Sequence, residues 1–259
     1  MAERNPIAAP PWWRTVAETR AAFELGAFVA ASPALRLIGR GDRHPVLVLP
    51  GFTASDRATE PLRWFLRGQG YWTHGWDLGR NLGPTPQAMA GLDERFRYVF
   101  ERHDRPVSIV GWSLGGIYAR MLAQNHPEMV RQVITLSSPF RLEAGDHTAL
   151  DPIWNRVSST FVPELTALRL HMNRDLSVPS TAIFSKSDGI VDWHSCIEYA
   201  GEQRESIEVF GSHSGMVFNP AVLVAIADRL HQSEGKWRPF RAPPGMSRLY
   251  GRPRHAQVA

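Results

Sequence analysis

The run Pro45-Val-Leu-Val-Leu-Pro50 is apolar throughout, contains two β-branched residues and is closed by Gly51. So short and unbroken a run predicts a strand covered on both faces. Val107-Ser-Ile-Val-Gly111 reads as another short buried strand, and further strands are expected at Val130–Leu136, Ser180–Phe184 and Ser206–Phe210, with Tyr71–Trp76 a candidate for one more. Helical spacing fills the gaps. Ala58–Gly68 reads as one helix. Pro86–His103 is a longer one, with Met89, Leu92, Phe96, Val99 and Phe100 recurring at near-helical intervals. Helices are also expected from Trp112 to Gln124 and from Pro220 to His231. Strands that alternate with helices predict an α/β architecture: a mostly parallel sheet of about six strands with helices on both faces.

Two stretches break the alternation. Trp13, Val16, Phe23 and Phe28 are spaced as the apolar stripe of an amphipathic helix over residues 12–30, so residues 1–42 are expected to form a helical segment that packs on the core. Residues 139–178 hold no clean strand but carry Leu150, Ile153, Trp154, Val157, Phe161, Val162, Leu165 and Leu168. A connection this long inside a compact domain usually has helices of its own or a function. It is read as a small helical cap over the sheet edge, inserted in a core spanning residues 43–233.

Composition then bounds the partners. The 259 residues fit one large α/β domain. Net charge is +4, but residues 235–259 hold Lys236, Arg238, Arg241, Arg248, Arg252 and Arg254 and no acid, leaving 23 basic and 25 acidic residues elsewhere. This tail, residues 234–259, is short, broken by proline and without helical period. It is expected to pair with acidic surface or stay solvated, and no nucleic-acid partner is expected. Cys196 is the single cysteine, so no internal disulfide can form. The start, MAERNPIAAPPWWR, lacks the pattern of a signal peptide, and Ala21–Ile38 is interrupted by Glu24, Pro33 and Arg36, short of a membrane span. A cytoplasmic location without a transmembrane segment is expected; oligomeric state is not legible.

Candidate chemistry concentrates at the strand ends. Gly111-Trp-Ser-Leu-Gly115 places Ser113 between a strand and a helix, with glycines two before and two after so that strand and helix can approach. The helix amino terminus behind it supplies free N–H groups and partial positive charge. Serine needs a base within reach. His213, in Gly211-Ser-His-Ser-Gly215 after the last strand, is the base candidate among ten histidines. Asp188, in Ser185-Lys-Ser-Asp-Gly189 just past a strand's carboxyl end, would orient it. Asp192 is the rival, able instead to cap the turn near Trp193. Oxyanion donors would be the N–H groups of Leu114 and of Phe52 in Pro50-Gly-Phe-Thr53. Phe52, Trp112 and Met216, with Leu114 and cap residues, would line an apolar substrate site.

Taken together, Leu49-Pro-Gly-Phe-Thr53, Gly111-Trp-Ser-Leu-Gly-Gly116, Ser185-Lys-Ser-Asp-Gly189 and Gly211-Ser-His-Ser-Gly215 resemble the α/β-hydrolase superfamily, and more closely bacterial esterases and lipases, over roughly residues 43–233. The resemblance implies a serine carboxylic-ester hydrolase acting on a small-molecule, lipid-like or polymeric ester. An acyltransferase using the same triad, and a non-catalytic binding protein on the same fold, are the alternatives. Many relatives have His-Gly where this chain has Pro50-Gly51, and one or two antiparallel edge strands common in the family are expected to be absent. No cofactor or metal is implied: there is no phosphate-binding loop, no H-E-x-x-H and no paired cysteines.

Overall fold

Strand β1 (Pro45–Leu49) is buried at all five positions, as an unbroken apolar run requires. In the computed structural model, which describes residues 5–143, 145–158, 162–199 and 201–251, it lies one strand in from the edge of a six-stranded sheet. Ahead of it run α1 (Trp12–Val16), a 3-10 turn (Ala17–Arg20) and α2 (Ala21–Leu35). After it come α3 (Glu60–Gly68), β2 (Trp72–Gly75), α4 (Pro86–His103), β3 (Val107–Trp112), α5 (Leu114–Asn125) and β4 (Val130–Leu136). Then follow α6 (Asp151–Ser158), α7 (Val162–Arg169), β5 (Ser180–Phe184), β6 (Arg204–Glu208) and α8 (Pro220–Leu230).

The strand order is β2-β1-β3-β4-β5-β6 and every pairing is parallel. No antiparallel strand joins this sheet among the described residues. One apolar layer packs α2, α3 and α8 on one face, through Phe28, Leu62, Phe65 and Val222 among others. The other layer packs α4 and α5, through Leu92, Phe96, Ile117 and Leu122. The chain moves outward from β1 to β2 and returns past β1 to β3. The loops after β1 and β3 therefore diverge at the carboxyl edge, where open α/β sheets form a crevice.

Three expectations need correction. The last strand lies at Arg204–Glu208, not Ser206–Phe210: the parallel ladder ends with the Val209 N–H on the Phe184 carbonyl at 2.9 Å, Val209 also bridges Tyr250 in antiparallel fashion, and Phe210 is exposed. That bridge belongs to the carboxyl-terminal tail, which is anchored as far as Gly251. Tyr250 Oη donates to the Ala221 carbonyl at 2.9 Å, the Phe240 N–H to Glu205 at 2.8 Å and the Gly251 N–H to the Glu208 carbonyl at 2.9 Å. The tail is held by its backbone and rings; Arg252 and Arg254 lie outside the described residues.

The amino-terminal segment departs further. It breaks into α1, the 3-10 turn and α2, and of the four apolar residues expected to face the core only Phe28 is buried. Trp13, Val16 and Phe23 are exposed. The inward positions are polar instead, because they face loops with unpaired backbone groups. In the 139–178 insertion, Phe161 lies outside the described residues, as do the side chains of Val157 and Val162; Ile153 is exposed, and Leu168 is buried.

Candidate active site

Ser113 follows β3 directly and opens α5, with φ 55° and ψ −123°, an unfavourable conformation for a residue with a side chain. Its N–H donates to the Leu136 carbonyl at 2.9 Å. The turn is tight enough to demand the flanking glycines. A Cβ on Gly111 would sit 2.3 Å from the Gly115 carbonyl oxygen, and one on Gly115 would sit 2.4 Å from that of Leu49. The strain thus rests on sequence that allows strand and helix to close on one another.

Asp188 and His213 lie beyond the carboxyl ends of β5 and β6. His213 Nδ1 and Asp188 Oδ2 are 2.8 Å apart, both side chains being almost fully buried. The other carboxylate oxygen, Oδ1, accepts the N–H groups of Ile190 at 2.8 Å and Val191 at 2.9 Å, so the carboxylate is fixed before it meets the ring. Burial pulls the His213 pKa down. The Asp188 charge, its hydrogen bond and the Glu18 charge together outweigh that pull, and the net direction is upward. The loop bearing His213 is tied to the elbow as well: Trp112 Nε1 donates to the His213 carbonyl at 3.0 Å, and the two rings lie 5.9 Å apart. Asp192, the rival acid, instead caps the turn Trp193–Cys196 by accepting from the His194 N–H at 2.9 Å.

The loop after β1 carries Phe52. Among the described residues neither the Phe52 nor the Leu114 N–H donates to a backbone acceptor, so both are free for an oxyanion. A cavity of about 520 Å³ opens at Ser113, with Phe52, Leu114, Ile117, Trp154, Leu168 and Met172 among its walls. Residues 145–148 and residues of α6 and α7 also line it. Of the three residues expected to line a substrate site, Phe52 borders this cavity. Met216 and Trp112 do not border this cavity; both pack into the apolar layer on the opposite face of the sheet.

Motif reasoning missed the supports of these loops. Asn81 is fully buried, in a turn that held no chemical signal. Its Nδ2 donates to the Pro50 carbonyl at 2.9 Å, its carbonyl accepts the Thr53 N–H at 2.6 Å and its N–H donates to the Ala54 carbonyl at 2.7 Å. It thereby clamps the segment that presents Phe52. The amino-terminal segment grips the other two loops. Glu18 accepts the N–H groups of Gly189, His213 and Ser214, Glu24 accepts that of Ser212, and an Arg20 nitrogen donates to the carbonyls of Ser187 and Gly211. The available signal was glycine. Neither Gly189 nor Gly215 has positive φ. Yet a Cβ on Gly189 would meet the Arg14 carbonyl oxygen at 2.2 Å, and one on Gly215 would meet Glu24 Oε2 at 1.7 Å.

A second Ser–His–Asp set lies at the opposite edge. His44 Nδ1 meets Asp42 and its Nε2 is 2.8 Å from Ser108 Oγ. Ser108 and His44 are fully buried, the cavity does not touch them, and burial together with the Arg131 charge pushes the His44 pKa down to about 4. Residue types alone do not make a site; the serine and histidine of this set are buried away from the cavity at Ser113.

Comparison with known proteins agrees with the architecture. A family model described as the alpha/beta hydrolase fold matches residues 46–164, which include Ser113 and stop short of Asp188 and His213. The chain resembles a structure from work on LipS and LipT, two metagenome-derived lipolytic enzymes, with 18% identity and a TM-score of 0.52 over 74% of this chain and 93% of that one. It also resembles the pyrethroid hydrolase PytH, at 15% identity and a TM-score of 0.53, covering 71% of this chain and 96% of that one. A monoacylglycerol lipase of Paleococcus ferrophilus gives 13% identity and a TM-score of 0.53, covering 73% of this chain and 96% of that one. No curated protein matches the chain in sequence. At such identities the likeness carries the fold alone.

Proposed function

We propose that this chain, an α/β-hydrolase by fold, is a serine carboxylic-ester hydrolase for esters of apolar acyl groups. His213 takes the proton of Ser113 Oγ, which attacks the ester carbonyl. The tetrahedral oxyanion is held by the N–H groups of Phe52 and Leu114. His213 then returns the proton to the leaving alcohol, an acyl-enzyme forms on Ser113, and water activated by the same imidazole releases the acid. Asp188 holds the ring by Nδ1 and stabilises its charged form.

The observation that carries this reading is the buried Asp188–His213 pair, tied through Trp112 to a strained Ser113 that borders a largely apolar cavity. Apolar side chains such as Phe52, Ile117, Trp154, Leu168 and Met172 share the wall with the acids Glu143, Asp146 and Asp151, which favours an apolar acyl chain or aromatic acid over an anionic one. The upward-shifted pKa of His213 means that activity rises with pH as the ring loses its proton. The test is a series of p-nitrophenyl esters of increasing acyl length, with a serine-reactive phosphonate as label. Hydrolysis and labelling are expected in the parent chain and absent in Ser113→Ala. Undiminished turnover in that variant ends the reading.

A further inference from the structure

Helix α2, AAFELGAFVAASPAL, has one charged residue, Glu24, and it is turned inward to the Ser212 N–H. Phe28 and Leu35 also face the core. Everything on the outer side is apolar, and Phe23 is 82% exposed and Val29 65%. The face continues beyond the helix, with Trp12 at 78% exposure, Val16 at 60% and Leu37 at 84%. A helix that is apolar all round is normally covered on all sides, and so broad an exposed apolar face normally marks a contact surface.

The charges around it select the partner. Arg36, Arg40 and Arg43 are exposed, and Arg14 is half-buried beside Trp13. The acids of the segment are engaged elsewhere: Glu18 and Glu24 by the loops around His213, and Asp42 by Arg105 and Arg131. The outer face is therefore apolar with a cationic rim. A twofold contact between two copies through this face would bring both rims to one seam without acids to meet them. A bilayer surface with anionic headgroups supplies both the apolar layer and the opposing charge. At fifteen residues α2 measures about 22 Å, too short to cross a hydrocarbon core of about 30 Å but suited to lying along it.

We propose that the outer face of the amino-terminal segment, α1 to Arg43, docks on the surface of an anionic phospholipid bilayer. Trp12 and Trp13 sit at the headgroup level, Phe23, Val29 and Leu37 enter the acyl boundary, and Arg36, Arg40 and Arg43 meet lipid phosphates. This inference does not depend on the ester-hydrolase reading, because it concerns binding alone.

The test is sedimentation of the full chain with vesicles of phosphatidylcholine, with and without phosphatidylglycerol, read also by tryptophan emission. Binding to the anionic vesicles with a blue shift is expected, weakened by salt. Phe23→Asp with Val29→Asp should reduce partitioning at least about tenfold, given what burial of one large apolar side chain contributes. Arg36→Gln and Arg40→Gln should each reduce it roughly fivefold. Neither Phe23 nor Val29 belongs to the candidate active site, so the double variant should keep its melting temperature and its turnover of a soluble ester. Three results would overturn the proposal: a parent chain that stays in the supernatant, vesicle binding unchanged in the double variant, or a dimer in gel filtration that the double variant dissolves.

Discussion

Replacement of Glu18 by glutamine separates a scaffold role from a part in setting the base. The Glu18 carboxylate accepts the N–H groups of Gly189 at 2.9 Å and of His213 at 3.0 Å on one oxygen, and that of Ser214 at 3.0 Å on the other. Glutamine keeps one acceptor oxygen for the first two. Its amide nitrogen then faces the Ser214 N–H, donor against donor. Hydrogen bonds to charged groups contribute roughly 1.5–3 kcal/mol each, and the low end applies to a half-buried residue. A loss of about 2 kcal/mol corresponds to about 4–8 °C in Tm for a chain of this size. If the whole loss falls on the alignment of His213, kcat drops by roughly thirtyfold; a tenfold drop is the expectation when part of it falls on the ground state. KM for a soluble ester should hold, because Glu18 does not border the cavity. The pH profile gives the deciding measurement. The Glu18 charge is one of the causes that raise the His213 pKa. Without it the imidazole loses its proton at lower pH, so the acid limb of kcat/KM moves to lower pH. A purely structural glutamate would lower Tm and kcat and leave that limb in place. An unmoved limb, or a raised KM with kcat intact, refutes the reasoning.

Other perturbations test the remaining supports. Asn81→Ala removes the Nδ2 bond to the Pro50 carbonyl, and kcat should fall ten- to a hundredfold with little change in KM, bounded by the roughly 3 kcal/mol that an oxyanion donor can contribute; steady-state kinetics on one chromogenic ester decides it. Gly215→Ala should destabilise by about 1–3 kcal/mol because its Cβ displaces Glu24 from the Ser212 N–H, and the pair Gly215→Ala with Glu24→Ala should cost less than the two singly, as read from urea midpoints. Acidification should destabilise the fold through His44. Its folded pKa of about 4 lies below the unfolded value of 6.5, so its contribution is full above pH 6.5 and falls away toward pH 4, by up to about 3 kcal/mol. In His44→Gln the unfolding free energy should vary less over that window.

The sheet was legible because its strands are covered on both faces, so β1 is an unbroken apolar run and β3, β4 and β5 are short runs rich in β-branched residues between turn residues. The candidate triad was legible because strand ends followed by glycine-flanked polar residues have few other uses in this topology. Trp112 and Met216 were misplaced at the substrate site because adjacency along the chain was taken for adjacency to the cavity. A strand residue and its neighbour point to opposite faces, so the side chain before Ser113 goes to the other apolar layer. Asn81 was invisible because its bonds go to backbone groups of a distant loop, which no local pattern encodes.

The amino-terminal segment shows why a periodicity argument can point the wrong way. Spacing locates a stripe of apolar residues; the assumption that the rest of the surroundings is water then assigns that stripe to the core. Here the loops around Asp188 and His213 present N–H and carbonyl groups on the core side, so Thr15, Glu18, Arg20 and Glu24 turn inward, and Thr15 Oγ1 donates to the Gly189 carbonyl at 2.7 Å. Phe23, Val29 and their neighbours are left outside. If Glu18 and Glu24 are needed where they are, turning the segment to bury Phe23 would strip four N–H groups of the loops around Asp188 and His213 of their acceptors. Among the described residues nothing covers this apolar face. Stability measurements can check this directly: Phe23→Asp should leave Tm within about 1–2 °C of the parent, as for an exposed position, whereas Glu24→Ala, its neighbour in the helix, should lower it by several degrees. The reverse order would mean that the helix is turned the other way in solution, and both the support of His213 and the bilayer face would go with it.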